Sequence, residues 1–216
     1  MVKNTIFPIW VLLMLLAVSC KKSNNDSVIV NTASQELFPN QIGDKWHYLV
    51  IDTTFGGSQD SSVTQYFVDV TIVDTVKILN GISATVWQYK YPDHTDSQYV
   101  YQIRDTIKFF GNSVGYRFGQ YIFPFVSGIF WEYVSSLPTL PQYVTVSGPA
   151  NITVSKNLFS GAWRISGPAG GPDTAFSIDN WFEDYVGFVK IYFNSYGEFL
   201  FVRHNLDWYL VNYQLK

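Results

Sequence analysis

The sequence predicts an all-β fold, a curved antiparallel sheet or incomplete β-barrel built from meander-type hairpins. Aromatic residues make up 18% of the 216-residue chain, and aromatic and β-branched side chains favour the pleated, half-buried surface of a sheet. Several segments alternate apolar and polar residues with a period of two, as half-buried strands do. After residue 20, no segment repeats apolar residues at the spacing of three and four that indicates an amphipathic helix. We therefore expect no substantial helix in the mature chain.

The first half of the chain carries the clearest strand pattern. Residues 46–51 are apolar on both faces, and residues 63–76 alternate clearly between apolar and polar side chains. Asn80-Gly81 predicts a tight hairpin, because a type I′ turn needs positive φ at both central residues. The return strand is then expected at residues 82–91. Residues 98–104 alternate again, and residues 107–110 continue the meander.

The second half is less regular and is expected to contain shorter strands. These strands are predicted at residues 143–146, 152–154, 185–193, 199–203 and 208–213. Residues 185–193 are apolar on both faces except at Lys190, which indicates a central strand. The residues of Asn194-Ser195-Tyr196-Gly197 are typical of turns. We expect that tetrapeptide to end the central strand.

Residues 1–20 have the order of a bacterial lipoprotein signal. Lys3 supplies a positive charge, an apolar run follows, and three small residues precede Cys20, the only cysteine in the chain. The apolar run is shorter than the roughly 20 residues that span a bilayer, and it contains Pro8. Both features favour a cleaved signal peptide over a permanent anchor. We predict that residues 1–19 are removed and that Cys20 carries lipid, including palmitate; the alternative is an ordinary secretory signal with an incidental cysteine.

The mature chain is predicted to be one domain on a tether. Residues 20–36 are polar and lack periodicity, so they cannot bury enough surface to offset the entropy of ordering. They are expected to form a flexible link between the membrane and a single β domain at residues 37–216. Without a second cysteine the chain cannot form an intramolecular disulfide. Its stability must therefore come from an apolar core.

Three short motifs resemble those of a loose group of bacterial envelope lipoproteins of unknown function. The first is Phe38-Pro39 followed by Gly43, Trp46 and Tyr48, the pattern FP-x-x-x-G-x-x-W-x-Y. The second is an aromatic pair leading to V-G-x-V-K at residues 181–190, and the third is a Gly-aromatic strand at residues 160–163. The resemblance implies a curved antiparallel sheet or incomplete barrel on a lipid anchor, and it brings no catalytic residues.

The motif residues themselves favour structural roles. Gly43 and Gly187 are expected to serve backbone geometry, since glycine adopts conformations that cost other residues energy. The aromatic residues of the motifs are expected to lie in the core or at its rim. They are Trp46, Tyr48, Trp181 and Phe182.

Composition and motifs exclude several classes of function. A net charge of −3 and a pI near 5.5 argue against a nucleic-acid partner, which requires a basic surface. The sequence has no phosphate loop, no dinucleotide fingerprint and no nucleophile elbow. No cofactor, metal ligand or catalytic residue is predicted.

Two candidate sites for chemistry are weak in the sequence. The three histidines are far apart and lack a zinc-site spacing, and the sequence around His94 is typical of a solvated turn. Glu183 and Asp184 are adjacent, so on a strand they would point to opposite faces, which does not suit the paired carboxylates of a glycosidase.

An aromatic stretch between residues 116 and 133 is the candidate ligand-binding surface. Exposed rings there could stack on sugars or line a groove for an acyl chain, and the alternative is that they form the core. The candidate binding residues are Tyr116, Phe118, Tyr121, Phe123, Phe125, Trp131 and Tyr133.

These observations predict a lipid-anchored envelope protein, more consistent with a non-enzymatic binding module than with an enzyme. Its partner would be a hydrophobic or carbohydrate ligand, or another protein. A glycan-acting hydrolase and a structural component of an outer-membrane complex are the alternatives. Lys21 after the lipidated cysteine favours the outer membrane, and the lack of an acidic stretch there favours a domain that faces the periplasm.

Overall fold

The computed structural model describes residues 37–55, 61–78, 81–111, 117–134, 142–167, 176–197 and 202–216, all within the unit Asn31–Lys216. The predicted signal peptide, Cys20 and tether lie outside the described residues. The described residues form one antiparallel sheet of 12 strands. In chain order the strands are β1 (Lys45–Phe55), β2 (Ser61–Lys77), β3 (Ser83–Lys90), β4 (Thr95–Ile103), β5 (Thr106–Phe110), β6 (Arg117–Ile122), β7 (Phe130–Val134), β8 (Gln142–Val154), β9 (Asn157–Ser166), β10 (Phe176–Glu183), β11 (Gly187–Gly197) and β12 (Val202–Gln214).

The sheet is a meander that curls into a nearly closed barrel. Hydrogen-bonded neighbours are consecutive in the chain except for β1, which pairs with β12 and so joins the two ends of the domain. This order leaves β6 and β7 as the two edges. The predicted all-β class, with an incomplete antiparallel barrel, is confirmed. Among the described residues, no helix is long and apolar enough to cross a membrane.

Alternation along each strand decides which side chains fill the barrel. In β1, Trp46, Tyr48 and Val50 are buried, whereas the intervening residues are more exposed. Facing residues of antiparallel neighbours share one side of the sheet, so β1 and β2 place the buried Val68 opposite Tyr48 and the buried Val70 opposite Trp46. In β2 the period-two pattern of the sequence therefore identifies the inner face correctly, whereas β1 is apolar on both faces in the sequence and the structure decides which face is buried.

The two edges meet at a seam that side chains close in place of a backbone ladder. Trp131 Nε1 in β7 donates a hydrogen bond of 2.8 Å to the Gln120 carbonyl in β6, and the Gln120 side chain donates to the Glu132 carbonyl. Gly119 makes this approach possible, because a Cβ there would lie 2.5 Å from the Tyr133 ring. Edge strands expose unpaired backbone groups that invite association, and the seam satisfies part of that demand within the chain.

An aromatic plug closes one end of the barrel, and we call it the plugged end. Phe38 is buried, and its ring centroid lies 5.6–6.4 Å from those of five other rings. Those rings belong to Trp87, Phe109, Phe123, Phe182 and Phe188. They come from β3, β5, β10, β11 and the segment after β6, so the plug joins most of the barrel's circumference.

The first and second sequence motifs meet at the plugged end. Trp46 Nε1 donates to the Val186 carbonyl at 2.7 Å, and the Tyr48 hydroxyl donates to the Phe188 carbonyl at 2.7 Å. Gly187, between these acceptors, has φ +99°, and a Cβ there would lie 3.3 Å from Trp46 Nε1. The expected backbone role of Gly187 is confirmed. Two motifs almost 140 residues apart thus form one structural unit.

Three strand predictions in the second half were wrong. Residues 143–146 and 152–154 belong to one strand, β8, which continues through Gly148-Pro149 with register shifts on either side. The turn expected at residues 194–197 is the end of β11. Residues 202–203 and 208–213 belong to one strand, because β12 runs from Val202 to Gln214, and residues 199–201 lie outside the described residues. Pairing of β12 with both β11 and β1 overrides the turn preference of the polar residues within it.

Candidate functional site

The structure places most of the predicted binding aromatics inside the barrel. Tyr121, Phe123, Phe125 and Trp131 are buried, and Tyr133 is partly buried against the same core. These rings pack on one another and on the plug, for example Phe123 on Phe125 with centroids 4.3 Å apart. The structure therefore gives the four buried rings a packing role, and ligand binding by this set stays a prediction.

Two members of the predicted set cannot be placed fully. Tyr116 lies outside the described residues. Phe118 is in β6, but its side chain lies outside the described part of the structure. Among the described side chains of this region, Phe130 is an exposed ring: its surface is 68% accessible, and it packs against Tyr143 on the outside of the sheet.

A cavity of about 390 Å³ opens on the outer face of the barrel. Ligand sites in proteins commonly have volumes of about 300–1,000 Å³. The lining residues come from β12, β1, β2 and β3, which lie side by side in the sheet. They are Lys45, Trp46, His47, Asp69, Val70, Thr71, Gln88, Lys90, Asn212, Tyr213 and Gln214.

Sheet register arranges the polar lining in two rows that cross these four strands. One row consists of Gln214, Lys45, Thr71 and Gln88. The other row consists of Asn212, His47, Asp69 and Lys90. Directly opposed residues have Cβ atoms about 4.5–5.5 Å apart, so each row presents a continuous line of polar groups. A register shift between β1 and β12 at His47/Tyr48 adds a local irregularity beside the second row.

A histidine–aspartate pair lies in the middle of the cavity. His47 Nδ1 and Asp69 Oδ1 are 2.6 Å apart, and this bond fixes the imidazole ring. The ring also stacks on Phe67, with centroids 4.9 Å apart and planes 14° apart. Phe67 is 53% exposed, so a large apolar ring lies next to the pair on the outer surface. The cavity therefore combines hydrogen-bonding groups with an aromatic platform at its side.

The remaining polar groups of the cavity are available to a ligand. Within the described part of the chain, the side chains of Lys45, Lys90, Thr71, Gln88 and Gln214 have no hydrogen-bond or ion-pair partner. Such a set contains ammonium, hydroxyl and amide groups, which donate or accept hydrogen bonds to a polar ligand. At neutral pH, the charged or titratable groups of the lining are Lys45, His47, Asp69 and Lys90, and its other polar side chains are neutral.

A second cluster of ionisable groups lies at the plugged end. β10 ends at Glu183, and Asp184 begins the turn to β11. Burial raises the pKa of both carboxyl groups. A bond from the Gly161 N–H, at 3.3 Å from Glu183 Oε2, opposes the rise for Glu183, and a bond from the Trp163 side chain opposes it for Asp184. Both carboxylates thus tie the third sequence motif to the second.

No metal centre is found among the described residues, where no group of three His, Cys, Asp or Glu side chains converges. His94 Nδ1 lies 2.7 Å from Asp93 Oδ1 on the surface, and this bond lowers the pKa of Asp93. The imidazole stacks on Tyr91 with centroids 4.4 Å apart. These contacts describe an exposed turn, as the sequence predicts for this segment.

Comparison with known proteins gives no family. No protein-family model and no curated protein matches the chain. The crystal structure of a candidate exported protein with a YmcC-like fold, from Bacteroides fragilis, aligns with 82% of this chain and 98% of that chain, at 9% sequence identity and a TM-score of 0.31. A match this distant assigns no function to this chain.

Proposed function

We propose that this protein is a lipid-anchored cell-envelope protein that binds carbohydrate at the cavity on the outer face of its barrel. The observation that carries the proposal is the convergence of unpartnered polar side chains from four adjacent strands beside an exposed aromatic ring. Sugars present many hydroxyl groups together with apolar C–H faces. Amide, hydroxyl and ammonium groups can bind the hydroxyls, and the ring of Phe67 can contact the apolar face.

A partner of a different class fits the cavity less well. A hydrophobic ligand would leave the charged and amide groups of the lining without partners, and burying such groups unpaired costs free energy. A nucleic acid would require a broader basic surface than two lysines provide, on a chain with a net charge of −3. Carbohydrate is the ligand class that uses both the polar rows and the aromatic platform.

The second candidate function, a glycan-acting hydrolase, is favoured by one observation. Glu183 and Asp184 both have a raised pKa because of burial, and such shifts cluster at catalytic sites. Glu183 also accepts a hydrogen bond from the Gly161 N–H of β9, which explains this carboxylate as part of the plugged end, whereas Asp184 Oδ1 is buried without a hydrogen-bond partner among the described residues. A binding module leaves a glycan intact, whereas a hydrolase releases new reducing ends from it.

A blocking substitution tests the carbohydrate site. We expect Thr71→Trp to fill the cavity and to weaken binding of soluble polysaccharide at least tenfold. The fold should survive, because Thr71 lies on the outward face of β2 and aromatic residues suit strands. Affinity electrophoresis and calorimetry with amylose, xylan, polygalacturonate and solubilised peptidoglycan measure the effect.

The matched control for the blocked cavity is Thr75→Trp, which adds the same ring to the same strand at an exposed position outside the lining. It should bind as the parent does. Equal binding by parent and Thr71→Trp, or no binding of any of the four probes by the parent, contradicts the proposed site.

The proposed anchor is tested at Cys20. Replacement by Ser removes the thiol that would carry lipid, so Cys20→Ser is expected to lose palmitate labelling and to leave the membrane fraction. Stable anchoring needs more than one acyl chain. Among the described residues, no helix is long and apolar enough to hold the protein in the membrane in place of those chains. Ser19→Ala, which keeps a small residue before the cysteine, should be labelled normally. A Cys20→Ser protein that still labels or still sediments with membranes would refute lipidation at this residue.

We place the domain on the outer membrane, facing the periplasm. The support is sequence-based: Lys21 follows the cysteine, and Asp26 is the only acidic residue nearby. Digestion by an external protease on intact cells distinguishes this orientation from surface display.

A further inference from the structure

We infer that the carbohydrate bound at the outer cavity is an acidic one, a sugar chain that carries carboxylate groups. The inference rests on the proposed function and concerns the same cavity. It begins from the charges of the lining, where the two ammonium groups of Lys45 and Lys90 outnumber the single carboxylate of Asp69. The chain as a whole carries a net charge of −3, so a cavity with excess positive charge departs from the rest of the molecule.

In the part of the chain that the structure describes, the one carboxylate of the cavity forms no ion pair with either lysine. Lys90 lies directly opposite Asp69 in the register of β2 and β3, where an ion pair would be expected. Asp69 instead bonds to His47 Nδ1 at 2.6 Å, and no ion pair to Lys90 is formed within the described residues. Both ammonium groups consequently remain free for an anionic partner.

The two lysines lie in different rows of the cavity and on different strands. Lys45 belongs to the row that contains Thr71 and Gln88, and Lys90 belongs to the row that contains His47 and Asp69. The neutral side chains of Thr71 and Gln88 lie between the two positive charges on one side, and Asp69, which is bonded to His47, lies between them on the other. This order matches a chain of hydroxyl-rich rings with carboxylates at intervals, in which the neutral groups bind hydroxyls and the lysines bind the acid groups.

A carboxylate is favoured over a phosphate by the kind of donors present. Phosphate sites commonly use arginine forks or clusters of backbone N–H groups at helix N-termini. The lining contains neither an arginine nor a helix. Two separated ammonium groups with amide neighbours suit the more dispersed charge of an acidic polysaccharide.

Calorimetry with full-length protein in detergent tests the inference. Two probes are acidic, oligogalacturonate and solubilised peptidoglycan, and they carry their carboxylates on different chemical groups. The third probe is neutral malto-oligosaccharide. We expect at least one acidic probe to bind more tightly than the neutral probe. The affinity of the acidic probe should fall when sodium chloride is raised from 0.05 to 0.5 M, since exposed charges are screened at that ionic strength. The two acidic probes show which source supplies the ligand.

The Lys45→Gln/Lys90→Gln double variant should lose affinity for the acidic probe by about two- to thirtyfold, the range for two exposed ion pairs, and should keep its affinity for neutral sugar. Lys77→Gln/Lys156→Gln, with both changes outside the lining, is the matched control for net charge. Circular dichroism and thermal melting establish that both variants are folded.

Neutral sugar bound as tightly as acidic sugar, with no effect of the lysine changes, overturns the inference and leaves carbohydrate binding standing. Failure of all probes to bind removes the proposed function as well.

Discussion

Replacing Phe38 with Ala is expected to lower the free energy of unfolding by about 3–5 kcal/mol, the usual cost of truncating a buried phenylalanine. The reason lies in the plugged end. The Phe38 ring is 2% exposed, stacks on Phe182 and Trp87, and contacts three further rings edge-on. Because these rings belong to different parts of the barrel, the cavity left by Ala cannot collapse through the movement of one strand.

The effect of Phe38→Ala is measured by urea denaturation, followed by tryptophan fluorescence. Phe130→Ala removes the same ring from a position that is 68% exposed and should cost less than about 1 kcal/mol, as surface substitutions do. A loss below about 1 kcal/mol for Phe38→Ala would show that the segment before β1 does not contribute to the core. A larger urea dependence alone, with an unchanged midpoint, would indicate a change in the denatured state.

The sequence predicts which residues are buried at the plugged end, because the pattern that marks them lies within single strands. The alternation through residues 63–76 marks Val68, Val70 and Ile72 as one face, and all three are buried. The FP-x-x-x-G-x-x-W-x-Y motif likewise marks residues that the structure places in one unit. What the motif cannot show is its contact with the Val186 and Phe188 carbonyls, since those bonds depend on how β11 is placed relative to β1.

The cavity is the part that sequence reasoning misses. The sequence shows one part of the cavity, because Asp69 and Thr71 lie on the polar face of the predicted strand 63–76. The partners that complete the two rows lie on three other strands, and Asn212 is distant in the chain from His47. Only the register of β12, β1, β2 and β3 brings them together. A shift of one residue would turn every one of these side chains to the other face.

For the aromatic stretch at residues 116–133, the sequence does not show which rings are buried. A run rich in Tyr and Phe predicts a strand, but composition does not determine which face of it is buried. Tyr121 and Trp131 are inside because β6 and β7 are the edges of a nearly closed barrel. Closure of the sheet is a property of all twelve strands, so the sequence of this stretch alone could not reveal it.

A buried asparagine supports the seam between these edges, and its removal should have the second large effect. Asn180, in β10, is 3% exposed. Its Nδ2 donates to the Tyr121 hydroxyl at 2.9 Å, and its Oδ1 accepts from the Tyr192 N–H at 3.2 Å. The Tyr121 hydroxyl lies 3.1 Å from that of Tyr133, so the network connects β10 with both edge strands. Burial raises the pKa of both tyrosines, which keeps their hydroxyls protonated as donors.

Asn180→Ala is expected to lower the free energy of unfolding by about 2–4 kcal/mol. The substitution leaves the Tyr192 N–H without its side-chain acceptor, at about 1–3 kcal/mol for a buried donor, and removes the bond to the Tyr121 hydroxyl, at about 0.5–1.5 kcal/mol. That hydroxyl keeps its contact with Tyr133. Asn157→Ala makes the same chemical change at a surface position whose one side-chain bond, to the Val211 carbonyl, is exposed, and should cost less than about 1 kcal/mol. Urea denaturation of both variants provides the comparison.

Tyr133→Phe tests the hydrogen-bond network without changing the packing around Asn180. It keeps the ring that packs beside Gly119 and removes only the hydroxyl, so the expected loss is about 0.5–1.5 kcal/mol, the net value of one hydrogen bond. If closure of the seam depends on the network, Asn180→Ala and Tyr133→Phe should act on the same interaction, and the loss in the double variant should be smaller than the sum of the single losses. Additive losses would mean that Asn180 stabilises β10 alone and that the β6–β7 contacts close the barrel without it.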